Sequence, residues 1–261
     1  MGDILSMPVF APLFTPGPER VKVRWLTVEI PVSPEISTRV LPGNLCPASE
    51  PTLGLWIAEF IGAEFHSPQG IESRPDYMQG GVSLRCAVDE GPNGAYAVET
   101  FVEGLNHGIL GREIFGLPKK QAQSVTLEEH DDSLEFGITS AQGQNLVTGS
   151  ATFGKTPEFG TAPTPPWFDR HLTVKAIPSA EGTGYDLCKL VEIPWHMTPQ
   201  HSVSTGEAEL QWGTDDSDPL HVFVPTGPLT ATYGIATLEI GYGTYLGDAT
   251  LPAPVGTPSW K

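Results

Sequence analysis

Residues 111–120 have the sequence GREIFGLPKK, which ends in two adjacent lysines after a proline. The whole chain has only 14 lysines and arginines in 261 residues, against 31 aspartates and glutamates. Two adjacent lysines can be a solvated pair on the surface. Here the apolar side chains of Ile114, Phe115 and Leu117 favour burial of the lysines instead. Burial and a neighbouring cation both lower the pKa of a lysine. The stretch therefore predicts a lysine that is neutral near pH 7 and can attack a carbonyl carbon to form an imine.

The same ten residues resemble the hallmark of the acetoacetate decarboxylase-like superfamily, in which four residues separate Gly-Arg-Glu from Pro-Lys-Lys. Acetoacetate decarboxylase is a known example of a lysine activated by a cationic neighbour. The resemblance implies that Lys119 forms the imine with a keto acid and that Lys120 lowers the pKa of Lys119. It also implies an enzyme without a cofactor, a small-molecule keto acid substrate and a homo-oligomer.

The chain is expected to be mainly β, a β-rich α+β fold. It is 39% hydrophobic with 29 glycines and 26 prolines, and short alternating apolar runs are separated by turn residues. Helices are predicted only at 34–41 and in parts of 103–115. We expect one domain over 1–261, with antiparallel strands closing into a barrel or cone-like sheet and extended termini at 1–18 and 250–261. Strands are predicted at 21–32, 53–65, 82–88, 96–102, 125–127, 134–139, 172–177, 186–193, 202–212, 222–224 and 233–242, with a three-strand meander over 122–154.

Charge and composition exclude several kinds of partner. The formal net charge is −17 and the isoelectric point is near 4.6, which argues against binding nucleic acid or an anionic membrane. No apolar run reaches 18 residues and residues 1–14 lack the basic start of a secretory signal, so a cytoplasmic location is expected. The cysteines and histidines show no metal-ligand spacing, and no metal site is predicted.

Outside the lysine pair, the resemblance points to four further side chains. Arg24 matches an early-strand arginine that faces the active site, although a single strand arginine is more often on the surface. Gln79 ends a Tyr-Met-Gln run where the family's decarboxylases have Tyr-x-Glu, so it keeps the hydrogen-bonding shape without the charge. Glu59 or Glu64 is a candidate to supply the missing carboxylate, and either is equally compatible with a solvent-facing strand position.

Arg112 and Glu113 are expected to support the lysine loop as an ion pair, because buried charges are usually paired. Three functions remain open at this point. The first is decarboxylation of a β-keto acid through a Lys119 imine. The second is condensation of pyruvate with an aldehyde through the same imine, followed by dehydration. The third is a non-catalytic barrel that binds a small molecule. The sequence does not decide which keto acid or aldehyde is used, or how large the oligomer is.

Overall fold

Fourteen β-strands form one continuous sheet in the computed structural model of the chain. The structure describes residues 7, 8, 10, 17–67, 70–88, 91–154 and 161–256, with the backbone alone at 105–107. Two α-helices accompany the strands, α1 (Pro34–Val40) and α2 (Leu105–Phe115). The strands are β1 (Glu19–Pro31), β2 (Leu45–Pro47), β3 (Thr52–Ser67), β4 (Gly70–Ser73), β5 (Tyr77–Val88), β6 (Asn93–Val102), β7 (Lys119–His130), β8 (Ser133–Ser140), β9 (Asn145–Phe153), β10 (Arg170–Pro178), β11 (Tyr185–Pro199), β12 (Ser204–Trp212), β13 (Leu229–Ile240) and β14 (Thr244–Asp248).

The sheet rings round because two additional pairings join strands that are not neighbours in its linear order. Along the sheet the order is β14-β11-β10-β6-β7-β8-β9-β12-β13-β1-β3-β5-β2, and β11 also pairs with β13 while β5 also pairs with β6. These pairings define a seven-strand ring through β10 and β11 and a nine-strand ring through β7, β8, β9 and β12. The two rings share β1, β3, β5, β6 and β13. The expectation of a mainly β chain with a few short helices is therefore confirmed.

The shared strands are buried on both faces, because each face turns towards a different interior. On β1, Val23 and Trp25 belong to the apolar cluster inside the seven-strand ring. Leu26 and Val28 point the other way, into the larger cluster inside the nine-strand ring. Successive side chains of a strand alternate between faces, so one strand serves both interiors.

Two neighbouring strand pairs are parallel, which differs from the expected antiparallel sheet. β6 is parallel to β7 on one side and to β10 on the other. Parallel neighbours need a crossover rather than a tight turn, and α2 supplies it between β6 and β7. This connection brings residue 119 to the first position of β7, opposite Thr100 on β6.

Most predicted elements are present, and the errors lie at the edges of the sheet. The strand predicted at 222–224 is wrong, because Leu220–Val222 forms a 3₁₀ turn. The short edge strands β2, β4 and β14 were not predicted. The predicted extended termini fall largely outside the described residues, although 250–256 carry no helix or strand. In the described part of the chain, no helix has the length and apolar character needed to cross a membrane.

Candidate active site

Lys119 is held at the start of β7 by the end of helix α2. The helix ends at Gly116, whose φ of 75° is a left-handed conformation that glycine adopts without strain. The side chain of Arg112 then reaches forward, and its Nη1 donates a hydrogen bond of 2.8 Å to the carbonyl oxygen of Lys119. Gly111 packs on the lysine itself, since a Cβ there would lie 3.1 Å from Nζ. Glycine and arginine at the beginning of the motif thus make room for the lysine and fix its backbone.

The side chain of Lys119 extends into an internal cavity of the seven-strand ring and is only 9% exposed. The free space in this cavity is about 40 Å³. Its wall is a mixture of aromatic, aliphatic and polar side chains: Glu19, Trp56, Phe60, Phe65, Arg74, Tyr77, Gln79, Thr100, Leu110, Phe115, Leu117, His171, Ile193, Trp195 and Ile240, together with Gly111.

Burial is the main reason that Lys119 is an unusual lysine. Desolvation of the ammonium group lowers the pKa of Lys119 to about 8; Glu19 opposes this shift and Arg74 adds to it. The same burial, reinforced by Lys119, lowers the pKa of His171 to about 4, so this imidazole is neutral. Burial raises the pKa of Glu19, although Lys119 and Arg74 oppose that rise. The cavity therefore favours a neutral amine beside neutral acid and base groups.

The wall of the cavity also contains polar atoms that have no hydrogen-bond partner among the described residues. Buried polar groups are normally paired, because an unpaired one costs about 1–3 kcal/mol. The concentration of unpaired polar atoms around one cavity indicates a site whose hydrogen bonds are completed by a small polar ligand. The unpaired atoms are Glu19 Oε1, Trp56 Nε1, Arg74 Nε, Gln79 Oε1, His171 Nδ1 and Trp195 Nε1.

Lys120 is not among the described residues that line this cavity, so the geometry does not favour its predicted role of lowering the pKa of Lys119. Its Nζ lies 2.7 Å from Glu99 Oε1 and also pairs with Asp218. These partners raise the pKa of Lys120 against the opposing effect of burial. Adjacent residues on a strand point to opposite faces, so Lys120 is directed away from Lys119. Arg74, on the segment after β4, is instead the cation that helps to lower the pKa of Lys119.

Arg24 and Glu59 lie opposite each other on β1 and β3, on the faces directed to the nine-strand ring. Arg24 Nε lies 2.8 Å from Glu59 Oε2, and its Nη1 lies 2.9 Å from Glu129. Neither side chain is among those that line the Lys119 cavity. The structure does not bring either residue to the place that the expected substrate-binding role requires: within the described residues, they form an ion-pair cluster outside the cavity.

A family model described as acetoacetate decarboxylase matches residues 6–249. The chain belongs to the acetoacetate decarboxylase family. Acetoacetate decarboxylase 1 of Mesorhizobium japonicum is 25% identical over 250 residues, covering 95% of each chain.

Solved structures of family-like proteins share the fold. Acetoacetate decarboxylase from Legionella pneumophila superposes with a TM-score of 0.78 at 18% identity, covering 93% of each chain. The enduracididine biosynthesis enzyme MppR, solved with the condensation product of pyruvate and imidazole 4-carboxaldehyde, gives a TM-score of 0.75 at 17% identity, covering 95% of this chain and 98% of MppR. The family and its relatives support a lysine-dependent, acetoacetate decarboxylase-like enzyme.

The structure also shows where the predicted Arg112–Glu113 ion pair and Gln79 lie relative to the cavity. Arg112 supports the loop through its bond to the Lys119 carbonyl, but no ion pair between Arg112 and Glu113 is present in the described part of the chain. Glu113 is exposed. Gln79, the family's usual glutamate position, does line the cavity and is 4% exposed.

Sequence reasoning missed Glu19, Arg74 and His171 as members of the site. Each lies far in sequence from the lysine motif, at the start of β1, after β4 and at the start of β10. The one available signal was the scarcity of cations, which made every arginine a candidate anchor for an anion. Among the described residues, no group of three or more His, Cys, Asp and Glu side chains is arranged to hold a metal ion.

Proposed function

We propose that this chain is a Schiff-base-forming carbon–carbon lyase that decarboxylates a small β-keto acid through Lys119. The observation that carries the proposal is the Lys119 amine, which is only 9% exposed inside a cavity where burial lowers its pKa to about 8. A neutral amine is the nucleophilic form, and the ammonium ion is not. The curated relatives named acetoacetate decarboxylase support the same reaction class.

The proposed reaction uses the imine as an electron sink. Lys119 Nζ attacks the keto carbon, and loss of water leaves a protonated imine. The bond to the carboxylate then breaks, carbon dioxide departs, and its bonding electrons form an enamine. Protonation of the enamine carbon and hydrolysis of the imine release a ketone and regenerate the amine. The neutral groups of the cavity wall and the exclusion of water favour the loss of carbon dioxide, in which the charge of the carboxylate is dispersed.

Arg74 is the proposed anchor for the substrate carboxylate. It lines the cavity, its Nη2 is bonded to Glu72 at 2.8 Å, and its Nε is left without a partner among the described residues. The guanidinium group has several N–H donors. It can therefore remain bonded to one carboxylate, here Glu72, while it donates to the carboxylate of the substrate. The small free space favours a short-chain keto acid such as acetoacetate.

Borohydride trapping tests the imine directly. Incubation with acetoacetate and borohydride is expected to add one ketone-derived group at Lys119, identified by intact mass and peptide mapping. Lys119→Ala is expected to lose the adduct and at least 10³-fold of the activity, roughly the contribution of covalent and proton-transfer catalysis. Lys22→Ala, which removes an exposed lysine on β1, is the matched control and should keep both. Unchanged activity of Lys119→Ala would refute the imine mechanism.

Pyruvate aldol condensation with dehydration is a second candidate, and Gln79 is the observation that favours it. The family's decarboxylases have a glutamate at this position, whereas here a neutral amide lines the cavity. A pyruvate adduct at Lys119 without carbon dioxide release from acetoacetate would support this second reaction. Failure of both keto acids to form an adduct would favour a larger keto acid or a non-catalytic binding function.

Gln79→Glu distinguishes the two candidates further. A carboxylate in the cavity is expected to increase carbon dioxide release from acetoacetate several-fold, because it repels the substrate carboxylate in the ground state more than in the transition state. Release is measured in a coupled assay, with Gln123→Glu on the exposed side of β7 as the control. Equal rates for Gln79→Glu and the wild-type chain would mean that residue 79 does not select the reaction.

A further inference from the structure

Glu19 is the only carboxylic acid among the described residues that line the Lys119 cavity. It is the first residue of β1 and lies between its cross-strand partners Phe65 and Ile240, which also line the cavity. Its Oε1 atom is shielded from solvent and has no hydrogen-bond partner among the described residues. A buried carboxyl oxygen without a partner is costly for a purely structural residue.

Glu19 also separates the cavity from an outer pocket on the surface. This outer pocket is lined by Arg20, Asp169 and Glu239, among others, and it shares Glu19, Trp195 and Ile240 with the inner cavity. Glu19 therefore lines both the cavity that contains Lys119 and a pocket on the surface of the chain.

The electrostatics of the site agree with a proton-transferring role. Glu19 and Lys119 line the same cavity, and each influences the pKa of the other. Burial raises the pKa of Glu19 above its usual range, so the protonated acid is favoured relative to an exposed glutamate. By contrast, Gln79 has no acidic proton, although it occupies the position of the family's glutamate.

We propose that Glu19 is the catalytic acid–base residue that exchanges a proton with the enamine carbon. The inference rests on the proposed imine at Lys119 and deepens it. The carboxyl function is thereby supplied from β1, while the corresponding position on β5 carries only an amide.

The proton-transfer step balances as follows. After carbon dioxide has left, the Glu19 O–H proton passes to the enamine carbon, and the electrons of the carbon–carbon double bond form the new C–H bond. The nitrogen lone pair moves to restore the protonated imine, and Glu19 becomes a carboxylate beside Arg74. Water hydrolyses the imine, and a proton from solvent restores the acid. The net reaction consumes one proton for each carbon dioxide released from the keto acid anion.

Deuterium exchange into acetone isolates this step from decarboxylation. An acetone imine at Lys119 loses a methyl proton to the Glu19 carboxylate and regains a deuteron from D₂O, which is detected by NMR. In Glu19→Gln, the exchange rate is expected to fall about 10²–10⁴-fold, as for loss of a general acid–base group. Borohydride trapping of the acetone imine at pH 9, where Lys119 is mostly neutral, is expected to persist.

Glu239→Gln is the matched control, because Glu239 lines only the outer pocket and lies 3.5 Å from Arg20. It should exchange within about twofold of the wild-type rate, since a change at an exposed surface site has little effect. Glu19→Asp shortens the acidic side chain by one methylene, and its exchange rate is measured instead if Glu19→Gln does not fold. It is expected to show intermediate exchange with trapping intact.

The outcomes separate the two proposals. A wild-type chain that forms no adduct refutes the imine and with it the proposed function. A wild-type chain that forms the adduct, with wild-type exchange rates in the foldable Glu19 variants, overturns the role of Glu19 alone. Retained trapping with lost exchange in Glu19→Gln, and neither change in Glu239→Gln, supports the proposal.

Discussion

Lys119 and Lys120 are consecutive residues of β7 with opposite surroundings. Lys119 is enclosed by the seven-strand ring, whereas Lys120 neutralises two acids whose side chains are only 12% and 5% exposed, Glu99 and Asp218. Burial and the hydrogen bond to Asp218 raise the pKa of Glu99 to about 8, against the opposing effect of Lys120. Lys120 therefore pairs with acids beside β6 and β7, whereas burial, Glu19 and Arg74 shift the pKa of Lys119.

This division predicts the behaviour of Lys120→Met. Loss of the cation leaves the buried acids Glu99 and Asp218 without their counter-ion and is expected to lower the free energy of unfolding by about 1–3 kcal/mol, since Lys120 is half exposed. Activity should rise with pH as Lys119 loses its proton. Because the pKa of Lys119 depends on burial and Arg74, the acid limb of the pH profile of kcat/KM should stay near pH 8 in this variant.

Thermal unfolding and the pH profile test this prediction together. Lys189→Met, which removes a 2.6 Å ion pair with the exposed Asp248, is the control for loss of a surface pair. An acid limb displaced to higher pH in Lys120→Met would restore the role expected from adjacency in the sequence.

At the residue scale, the motif predicted a buried lysine, which the structure places in the cavity, but not the side chains around it. The resemblance identified Lys119, and Gln79 does line the same cavity as this lysine. Arg24 and Glu59 could not be assigned to a face, because the shared strands are apolar on both sides and hydrophobic alternation gives no direction. Glu19 and Arg74 reach the cavity only through long-range strand pairing.

Helix α2 and strand β7 form the element that presents the lysine. The turn between them requires Gly116, because a Cβ there would lie 2.3 Å from the backbone of Lys175 and because its φ is positive. The crossover is therefore held against β10 at the same point where it delivers the chain to residue 119. Lys175 adds a bond of 3.1 Å from its Nζ to the carbonyl of Ile114 in the last turn of the helix.

Gly116→Ala is expected to destabilise the fold and impair the site together. The left-handed conformation alone costs a non-glycine residue about 1–2 kcal/mol, and the contact with Lys175 adds to that cost. Urea unfolding should show the loss, and kcat should fall as the start of β7 moves.

Gly154→Ala is the control for this element, because the added methyl would meet nothing within 4 Å and φ there is not positive. Its effect on stability should stay within about 0.5 kcal/mol. Equal stabilities of the two variants would argue against strain at the end of α2.

Element prediction succeeded where apolar runs were long and failed where they were short. β1 and β3 span 13 and 16 residues and carry continuous buried patterns, which made them easy to find. β2 has three residues and β14 is exposed throughout, so neither has a buried apolar run long enough to indicate a strand. The 3₁₀ turn at Leu220 resembled a strand because its apolar residues pack on the core without pairing.

At the scale of the whole molecule, one domain over the chain stays a prediction that unfolding can test. The two rings share five strands, so neither can lose its sheet without opening the other. We expect a single cooperative transition, with coincident curves from tryptophan fluorescence and far-UV circular dichroism. Trp25, Trp56 and Trp195 report on the seven-strand ring, and Trp212 packs against the core of the nine-strand ring.

A Trp212→Phe variant removes the signal of the nine-strand ring and serves as the comparison. Its fluorescence midpoint should match its circular dichroism midpoint, and two separated transitions would contradict a single folding unit. The β-rich class followed from composition and alternation, but the pairing of two rings depends on contacts between strands far apart in sequence. The homo-oligomer and the cytoplasmic location expected from the sequence also stay predictions.

The strands shared by the two rings have a consequence for how such a chain can diversify. Along β3, Trp56 faces the cavity, whereas Leu55 and Ile57 face the nine-strand core. Substitutions at alternate positions can therefore reshape the reaction space while the intervening positions preserve the scaffold. Selection for a new keto acid would leave variable and constrained sites that alternate along the strand. The nine-strand core would keep the chain folded when substitutions around Lys119 lower its stability.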